Sequence, residues 1–351
     1  MRTPPRLLSV LLLIVMLASA LPGAELKKGI TVTPNEAARR VDVLADGQPF
    51  TSYIWTDALK VPTLWPIRTA SGTPITRGFP LEPRPLERVD HPHHVGLWLN
   101  YGDVNGVDFW NNSSVVAAVE QAKMGTVLHR RIVKATSGAD QGGLEVETDW
   151  IMPDGSTVVK ETATFTFRAG PGLRVIDRVS TLIATDKVVA FKDDKEGMLG
   201  LRVRTELEQP SKDSVLHTDA NGKAGTQKSV ENTGVTGQYR SSEGKVGDAA
   251  WGTRGRWMML TGKVNQEDIT LAILDNPKNV GFPTYWHARG YGLFAANPLG
   301  QEAFSAGKDK LNFALQPKES TTFRYRLVIL NTPTTPEQIE AQYGKFVAEV
   351  K

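Results

Sequence analysis

The strongest constraint on the fold is an alternation of apolar and polar residues between positions 144 and 179. Leu144 and Trp150 belong to one alternating run, and Phe165 and Phe167 alternate with threonines in the next. The turn signals between the runs are Pro153-Asp154-Gly155 and Gly170-Pro171-Gly172. Because successive side chains of a strand point to opposite faces, these runs predict strands with one buried face. The short turns predict an antiparallel meander.

The same pattern recurs near both ends of the chain. Asp46-Gly47 separates two alternating runs and predicts a hairpin, and residues 322–330 read as a final strand. Helical spacing is found after Thr335, an N-cap residue followed by proline. The polar residues 210–248 read as a long surface excursion. We predict an all-β fold, a large antiparallel β-sandwich with a short C-terminal helix, formed by one domain over residues 25–351.

The N-terminus has the three parts of a secretory signal peptide. Arg2 and Arg6 precede an apolar run over 7–17, and small residues follow it. The run is too short to span a bilayer comfortably. We predict a signal peptide over residues 1–24, with cleavage after Ala20 or Ala24, and a periplasmic or secreted protein.

Composition excludes several classes of function. Cleavage after Ala24 removes Arg2 and Arg6 from a chain with 41 basic and 38 acidic residues, so the mature protein is nearly neutral. A neutral surface gives no reason to expect nucleic acid or a membrane as partner. The chain has no cysteine, which excludes disulfides, thiolate nucleophiles and Cys-ligated metals. No Gly-rich nucleotide motif or GxSxG elbow is present.

Three of the six histidines lie in DHPHHVGLWLNYGDVNGVDFWN, residues 90–111. Pro92 favours an extended conformation for His91, which predicts that His91 and His93 face one pocket and that His94 points away. Such a pair suits two ligands of one metal ion or two hydrogen-bonding groups on a substrate. No standard metal-binding spacing supplies a third ligand, so the metal stays unknown.

The same stretch contains Trp98, Trp110, Asp103 and Asp108. Exposed indole faces beside carboxylates and imidazoles are typical of carbohydrate sites, although both tryptophans could be plain core. The candidate substrate-binding residues of the whole chain are Arg77, His91, His94, Trp98, Asp103, Asp108, Trp110, Trp286, Arg289 and Asn297.

Two further stretches supply charged candidates. AFKDDKEGMLGLRV, residues 190–203, ends a strand in a charged segment, where Glu196 is a candidate general acid or base or part of a solvated turn. TRGFP, residues 76–80, places Arg77 in a turn, with a substrate-binding or a structural role.

FPTYWHARGYGLFAANPLG, residues 282–300, concentrates aromatic and basic side chains. In an extended segment His287 and Arg289 share one face and Trp286 takes the other. A His/Arg face could polarise a carbonyl or hold a carboxylate, and a cross-strand salt bridge is the structural alternative.

The motifs DHPHHVGLWLNYGDVNGVDFWN, KEGMLGLRV and PTYWHARGYGLFAANPLG resemble a secreted bacterial family labelled methane oxygenase PmoA, a PmoA-like domain of unknown function. The resemblance covers residues 30–332. It implies a galactose-mutarotase-like supersandwich that binds carbohydrate. Methane oxidation itself is excluded, because the methane monooxygenase subunit is a bundle of membrane helices and this chain has one short apolar segment.

Together these patterns predict an exported carbohydrate-active protein that acts on a sugar or sugar derivative. His93 and His287 would polarise or protonate an oxygen and Glu196 would remove a proton, as in mutarotation, epimerisation or β-elimination. The expected partner is a small-molecule or oligosaccharide ligand, with no cofactor. Two alternatives stay open: a non-catalytic glycan-binding module, and a metal-dependent lyase or hydrolase with His91 and His93 as ligands of a divalent ion.

Overall fold

The computed structural model describes residues 28–350, which form mostly antiparallel β-sheet. The predicted all-β sandwich with a short C-terminal helix is confirmed. The signal peptide predicted over residues 1–24 lies outside the described residues.

One sheet brings together strands that are far apart in the sequence. Its spatial order is β1 (Ile30–Asn35), β2 (Arg40–Ala45), β3 (Gln48–Ile54), β4 (Thr63–Leu64), β5 (Leu97–Tyr101), β11 (Gly197–Arg202), β18 (Leu293–Asn297) and β17 (Tyr285–Arg289). Asp46 and Gly47 form the predicted two-residue hairpin, with φ of 51° and 75°. The pairing of β5, β11, β18 and β17 places three chemistry-bearing stretches of the sequence side by side.

The other sheet contains the predicted meander. Its spatial order is β14 (Gln238–Ser241), β15 (Trp257–Val264), β16 (Glu267–Asp275), β20 (Ser320–Leu330), β9 (Leu173–Ala184), β8 (Thr157–Gly170), β7 (Gln141–Ile151) and β6 (Thr126–Thr136). Buried residues alternate regularly along β7, as the sequence pattern predicts for a strand with one apolar face.

Short elements complete the fold. The two-stranded sheets pair β10 (Val189–Phe191) with β19 (Phe313–Leu315), and β12 (Val215–Thr218) with β13 (Ala224–Ser229). The helices are α1 (Ala118–Gln121), α2 (Gln301–Phe304) and α3 (Pro336–Glu349), with 3₁₀ turns at Glu36–Ala38, Thr205–Leu207 and Gly247–Ala250. The surface excursion predicted for 210–248 is therefore only partly right, because its last residues form β14 at a sheet edge.

One apolar cluster contains residues of both large sheets. Phe50 and Leu199 come from the first sheet and Phe165 and Leu271 from the second, and each is at most 1% exposed. The two sheets thus share a core, as expected for a β-sandwich.

The C-terminal helix begins as predicted. Thr335 accepts a hydrogen bond from the Gln338 amide in a capping box, and Ile339 and Phe346 pack with Trp257 on the outer face of the second sheet. Within residues 28–350 no helix combines the length and hydrophobicity that crossing a membrane requires.

Candidate functional site

Residues 90–94 form a tight bend, called the histidine turn below. The His94 amide donates to the His91 carbonyl over 2.9 Å, and His91 has a φ of 39°. The prediction that His91 is extended is therefore wrong. Proline is favoured at the second position of a β-turn, and here that preference outweighs its effect on the preceding residue.

The turn places all three imidazoles in contact with one another. His91 stacks between Tyr291 and His94, with ring centroids 4.8 Å apart on each side. His94 continues the stack onto Trp98 at 5.2 Å, and His93 meets His94 edge-on at 4.3 Å. The prediction that His94 points away is also wrong, because the turn puts it at the centre of the cluster.

The buried side chain of Arg77 stabilises this turn by hydrogen bonds. The Arg77 guanidinium donates to Asp90 Oδ1 over 2.7 Å and to the carbonyls of His91 and His94 over 2.8 and 3.2 Å. Burial, followed by the neighbouring Arg202, lowers the pKa of Arg77 to about 9. Arg77 is 1% exposed, so it supports the turn and is not free to contact a substrate.

A second buried arginine determines the tautomer of His94. Arg202 donates to Asp90 Oδ1 over 2.8 Å and lies 3.4 Å from His94 Nδ1. Because a guanidinium only donates, Nδ1 accepts and the ring proton sits on Nε2. That atom, with His93 Nε2 and Trp110 Nε1, is buried without a hydrogen-bond partner among the described residues.

Burial keeps His93 and His94 neutral. Burial is the main reason why the pKa of His93 is lowered to about 3. Burial also lowers the pKa of His94 well below its ordinary value. His93 makes ring contacts with His91 and His94. Among residues 28–350 no ring contact or hydrogen bond joins it to Glu196 or His287.

The outer face of the first sheet forms a floor beside the turn. Trp98, Gly200, Ala295 and His287 occupy neighbouring register positions on four adjacent strands. A Cβ at Gly200 would lie 2.5 Å from the Trp98 ring, so only glycine lets that indole cover the strand. The indole fills the space above Gly200, and His287 lies two strands away on the same face.

Strand β17 divides its side chains as the alternation predicts. His287 and Arg289 face the floor, while Trp286 is fully buried in the core and donates from Nε1 to the Gly255 carbonyl over 3.1 Å. Trp286 therefore cannot contact a substrate, contrary to its place among the candidate residues.

Glu196 and His287 come together at the edge of the floor. His287 Nδ1 lies 3.7 Å from Glu196 Oε2 and donates to the Lys195 carbonyl over 2.8 Å, while the Lys195 ammonium pairs with the Glu196 carboxylate. Because Nδ1 carries the proton, Nε2 is the basic nitrogen of the neutral ring. Burial, then the charges of Lys195, Arg289 and His91, lowers the pKa of His287 to about 3.

The segment that carries Glu196 is anchored by Asn297. This side chain is fully buried and donates from Nδ2 to the Asp194 carbonyl over 2.8 Å, while its oxygen accepts from the Leu299 amide. Asp194 in turn accepts from the Glu196 amide over 2.8 Å. Asn297 thus positions the Glu196 segment and has no free polar atom for a substrate.

The two predicted aspartates stabilise their own loop. Asp103 accepts from the Gly106 amide over 2.8 Å, and Asp108 accepts from the Trp110 amide over 2.7 Å. Trp98 and Trp110 pack together at 5.1 Å and are 0% and 1% exposed. The expectation of exposed indole faces at these two positions is wrong, because the loop folds Trp110 over Trp98.

An open cleft of about 560 Å³ adjoins the histidine turn and the Glu196–His287 pair. Trp251, Arg289 and Tyr291 line it, and Trp251 is 37% exposed. The Trp251 ring lies 6.4 Å from His287, and Tyr291 stacks on His91. The cleft thus touches both groups of candidate residues through Trp251 and Tyr291, while His91, Glu196 and His287 lie behind its lining.

Sequence reasoning missed Trp251, and it did not select Tyr291, Asp90 or Arg202. A tryptophan followed by glycine at the end of a polar stretch was the available signal for Trp251. The contact between Arg202 and Asp90 joins chain segments 112 residues apart, so no local sequence pattern predicts it.

Within residues 28–350 no group of three or more His, Cys, Asp or Glu side chains is arranged to hold a metal ion. The His91 and His93 rings meet edge-on at 5.7 Å. The metal-dependent alternative thus has no complete ligand set in the described part of the chain.

Solved structures similar to the chain include carbohydrate-related proteins. The α-galactosidase AgaB from Geobacillus stearothermophilus aligns at a TM-score of 0.40 and 12% identity over 86% of this chain and 41% of that one. A galactose mutarotase related enzyme from Lactobacillus acidophilus aligns at 0.30 and 10% over 87% and 98%. A galactose mutarotase-like protein from Clostridium acetobutylicum aligns at 0.30 and 11% over 86% and 98%. The chain spans about two fifths of the length of the α-galactosidases that it matches.

No curated protein is significantly similar to the chain. A family model described as a family of unknown function (DUF6807) matches residues 40–344, which is most of the sequence. The chain therefore belongs to the DUF6807 family.

Proposed function

We propose that this protein is carbohydrate-active, binds a sugar or sugar derivative in the cleft beside Trp251, and acts on it by acid–base chemistry. The observation that carries the proposal is the Glu196–His287 pair, whose nearest atoms are 3.7 Å apart, beside an exposed indole. General acid–base catalysis needs such groups within reach of one substrate atom.

The cleft has the size and lining that a saccharide requires. Its volume of about 560 Å³ falls within the range of roughly 300–1,000 Å³ usual for small-molecule sites. The Trp251 indole offers an apolar face for sugar C–H groups, and Arg289 offers hydrogen-bond donors for hydroxyl or carboxylate oxygens.

The tautomer of His287 favours a role as proton acceptor. Its Nδ1–H is committed to the Lys195 carbonyl, so the Nε2 lone pair is the reactive position. A pKa near 3 keeps the ring neutral at neutral pH, so Nε2 carries no proton to donate; the same low pKa makes Nε2 a weak base. We therefore revise the expected role of His287 from donor to acceptor, with Glu196 beside it as the second proton-transfer group.

Such a pair suits the removal and return of a proton at a sugar atom, as in mutarotation, epimerisation or β-elimination. His93 packs within the histidine turn, and we assign it the role of supporting that turn. The His93→Gln variant described below tests whether it also takes part in catalysis.

The test is turnover of a saccharide panel followed by NMR, which detects anomeric exchange, stereochemical change and bond cleavage. We expect Glu196→Gln and His287→Gln each to lower the rate about 100-fold or more. His93→Gln is the comparison variant within the histidine turn. The matched control is Glu243→Gln, at an exposed position, which should turn over the sugar at the wild-type rate.

Two outcomes would contradict catalysis by this pair. If Glu196→Gln and His287→Gln turn over the same sugar at the wild-type rate, the chemistry lies elsewhere. If wild type binds sugars and converts none, the protein is a glycan-binding module.

Export also belongs to the proposal, on the strength of the signal-peptide pattern over residues 1–24. A mature N-terminus at Leu21 or Glu25, read by sequencing of the secreted or periplasmic protein, would agree with it. The narrower resemblance to the family labelled methane oxygenase PmoA stays a prediction.

A further inference from the structure

An exposed arginine at the cleft has no acidic partner. Arg289 takes part in no ion pair and no side-chain hydrogen bond within residues 28–350. The buried arginines nearby, Arg77, Arg88 and Arg202, are each paired with Asp90 or Glu208. The donors of Arg289 are therefore open to the cleft.

Aromatic rings hold this guanidinium in place. It lies 5.4 Å from the centre of the Trp251 ring and 5.9 Å from that of Tyr291. Cation–π attraction of this kind orients an arginine without using its N–H donors. A planar, oriented fork of donors matches the geometry of a carboxylate better than that of a single hydroxyl.

Other charges in the cleft do not neutralise Arg289. Lys212 adds a second positive charge, and Asp213 and Asp248 line the same cleft. Asp248 accepts a hydrogen bond from the Gln209 side chain over 3.0 Å, and neither aspartate forms an ion pair with Arg289 in the described residues. The lining is mixed in charge, so recognition of an anion would depend on Arg289 itself.

We propose that the saccharide bound in this cleft carries a carboxylate, as a uronic acid does, and that Arg289 binds that group. This inference rests on the proposed function of the cleft. It names the substrate class that the Glu196–His287 pair would act on.

The position of Arg289 relative to His287 suits proton transfer at the carbon that carries the carboxylate. Arg289 and His287 lie two residues apart on the same face of β17, a spacing of about 6.5–7 Å along a strand. A carboxylate on Arg289 would bring the attached carbon, C5 of a uronic acid, towards His287 and Glu196.

Proton abstraction at that carbon balances without a co-reactant. The C5–H bond breaks, the proton passes to His287 Nε2, and the electron pair moves into the carboxylate, whose charge Arg289 offsets. Delivery of a proton from water to the other face of C5, with release of the proton on His287 to water, gives the epimer. Departure of the oxygen on C4 with its bonding pair, and transfer to that oxygen of the proton that His287 took from C5, gives a C4=C5 double bond.

Binding to matched acidic and neutral sugars tests the inference. The probes are methyl glucuronide against methyl glucoside, and oligogalacturonate against the same oligomer with its carboxyl groups reduced. We expect calorimetry to show that wild type binds one acidic probe about 10- to 100-fold more tightly than its neutral match. In D₂O, epimerisation should place deuterium at C5 of that sugar, whereas elimination should remove the C5 hydrogen signal and give the signal of a C4 vinyl hydrogen.

Variants of Arg289 show whether the preference for an acidic sugar comes from this side chain or from the overall positive charge of the protein. Arg289→Ala should lose the preference for the acidic probe, and Arg289→Lys should recover only part of it, because lysine lacks the planar fork. The control is Arg240→Ala, which removes an exposed arginine of β14 and should keep the preference.

The outcomes distinguish this inference from the proposed function. If neutral sugars bind equally well and are converted in a reaction that Glu196→Gln abolishes, the function stands and the carboxylate inference is wrong. An acid preference that survives Arg289→Ala also overturns it. If no saccharide of either kind binds, both proposals are overturned.

Discussion

His287 shows how burial decides the chemistry of a residue. In the unfolded chain its pKa takes the ordinary value of 6.5, whereas burial and the nearby charges of Lys195 and Arg289 lower it to about 3 in the folded protein. The folded state therefore favours the neutral ring. Sequence identifies the histidine, but only the packing of β17 sets its protonation state and tautomer.

The same shift links stability to pH. Between about pH 6.5 and pH 3 the unfolded chain binds a proton at His287 that the folded protein does not. Its stabilising contribution is therefore full above pH 6.5 and is lost as pH falls towards 3, by up to about 1.4 kcal/mol per pH unit. We expect His287→Gln to flatten the pH dependence of unfolding free energy in this window, measured by urea denaturation at several pH values. Parallel curves for wild type and variant would contradict this assignment.

The histidine turn is the element on which the site is built. Asp90 bridges the buried guanidinium groups of Arg77 and Arg202, which in turn hold the carbonyl and imidazole groups of the turn. Burial opposes ionisation of Asp90, but Arg202, His91 and Arg77 outweigh it and hold the pKa of this carboxyl well below its ordinary range. The turn thus depends on one charged side chain.

Removal of that charge should loosen the turn. In Asp90→Asn two buried cations lose their shared anion, which we expect to lower the free energy of unfolding by about 3–5 kcal/mol. The control is Asp42→Asn, which breaks the half-exposed pair with Arg40 and should cost less than about 1 kcal/mol. Urea denaturation near neutral pH measures both. Equal, small losses in the two variants would show that the turn does not depend on Asp90.

Most regular elements were predictable because their signals are local. The Asp46-Gly47 hairpin, the meander over β7, β8 and β9, and the Thr335 cap each follow from a few adjacent residues. The conformation of His91 was not predictable, since the bend at Pro92 is held by hydrogen bonds from Arg77. The local preference of a residue before proline is outweighed by hydrogen bonds from a side chain 14 residues away in the sequence.

At the scale of the whole molecule, the two large sheets are joined by one core. Residues such as Phe50 and Phe165 belong to the same apolar cluster although they come from different sheets. Neither sheet can lose its structure without exposing the inner face of the other. The domain prediction for residues 25–351 can therefore be tested by cooperativity.

We expect a single unfolding transition. Tryptophan fluorescence reports on both sheets, through Trp98 in one and Trp150 in the other, and far-ultraviolet circular dichroism reports on the strands. The two signals should have the same urea midpoint, since two-state unfolding makes different probes coincide. Separate midpoints would indicate two independently folding units.

The meander, the Asp46-Gly47 hairpin, the C-terminal helix and most of the residue types at the site were predictable from the sequence alone, because period-two alternation and capping act over a few positions. Which of these residues meet follows from the tertiary fold. It places Glu196 next to His287, and Arg289 beside Trp251 with no ion-pair partner among residues 28–350. Arg77, Asn297 and Trp286 become supporting or core residues. The reason is physical: burial, hydrogen-bond partners and ion pairs arise between segments far apart in the chain, and no local pattern encodes them.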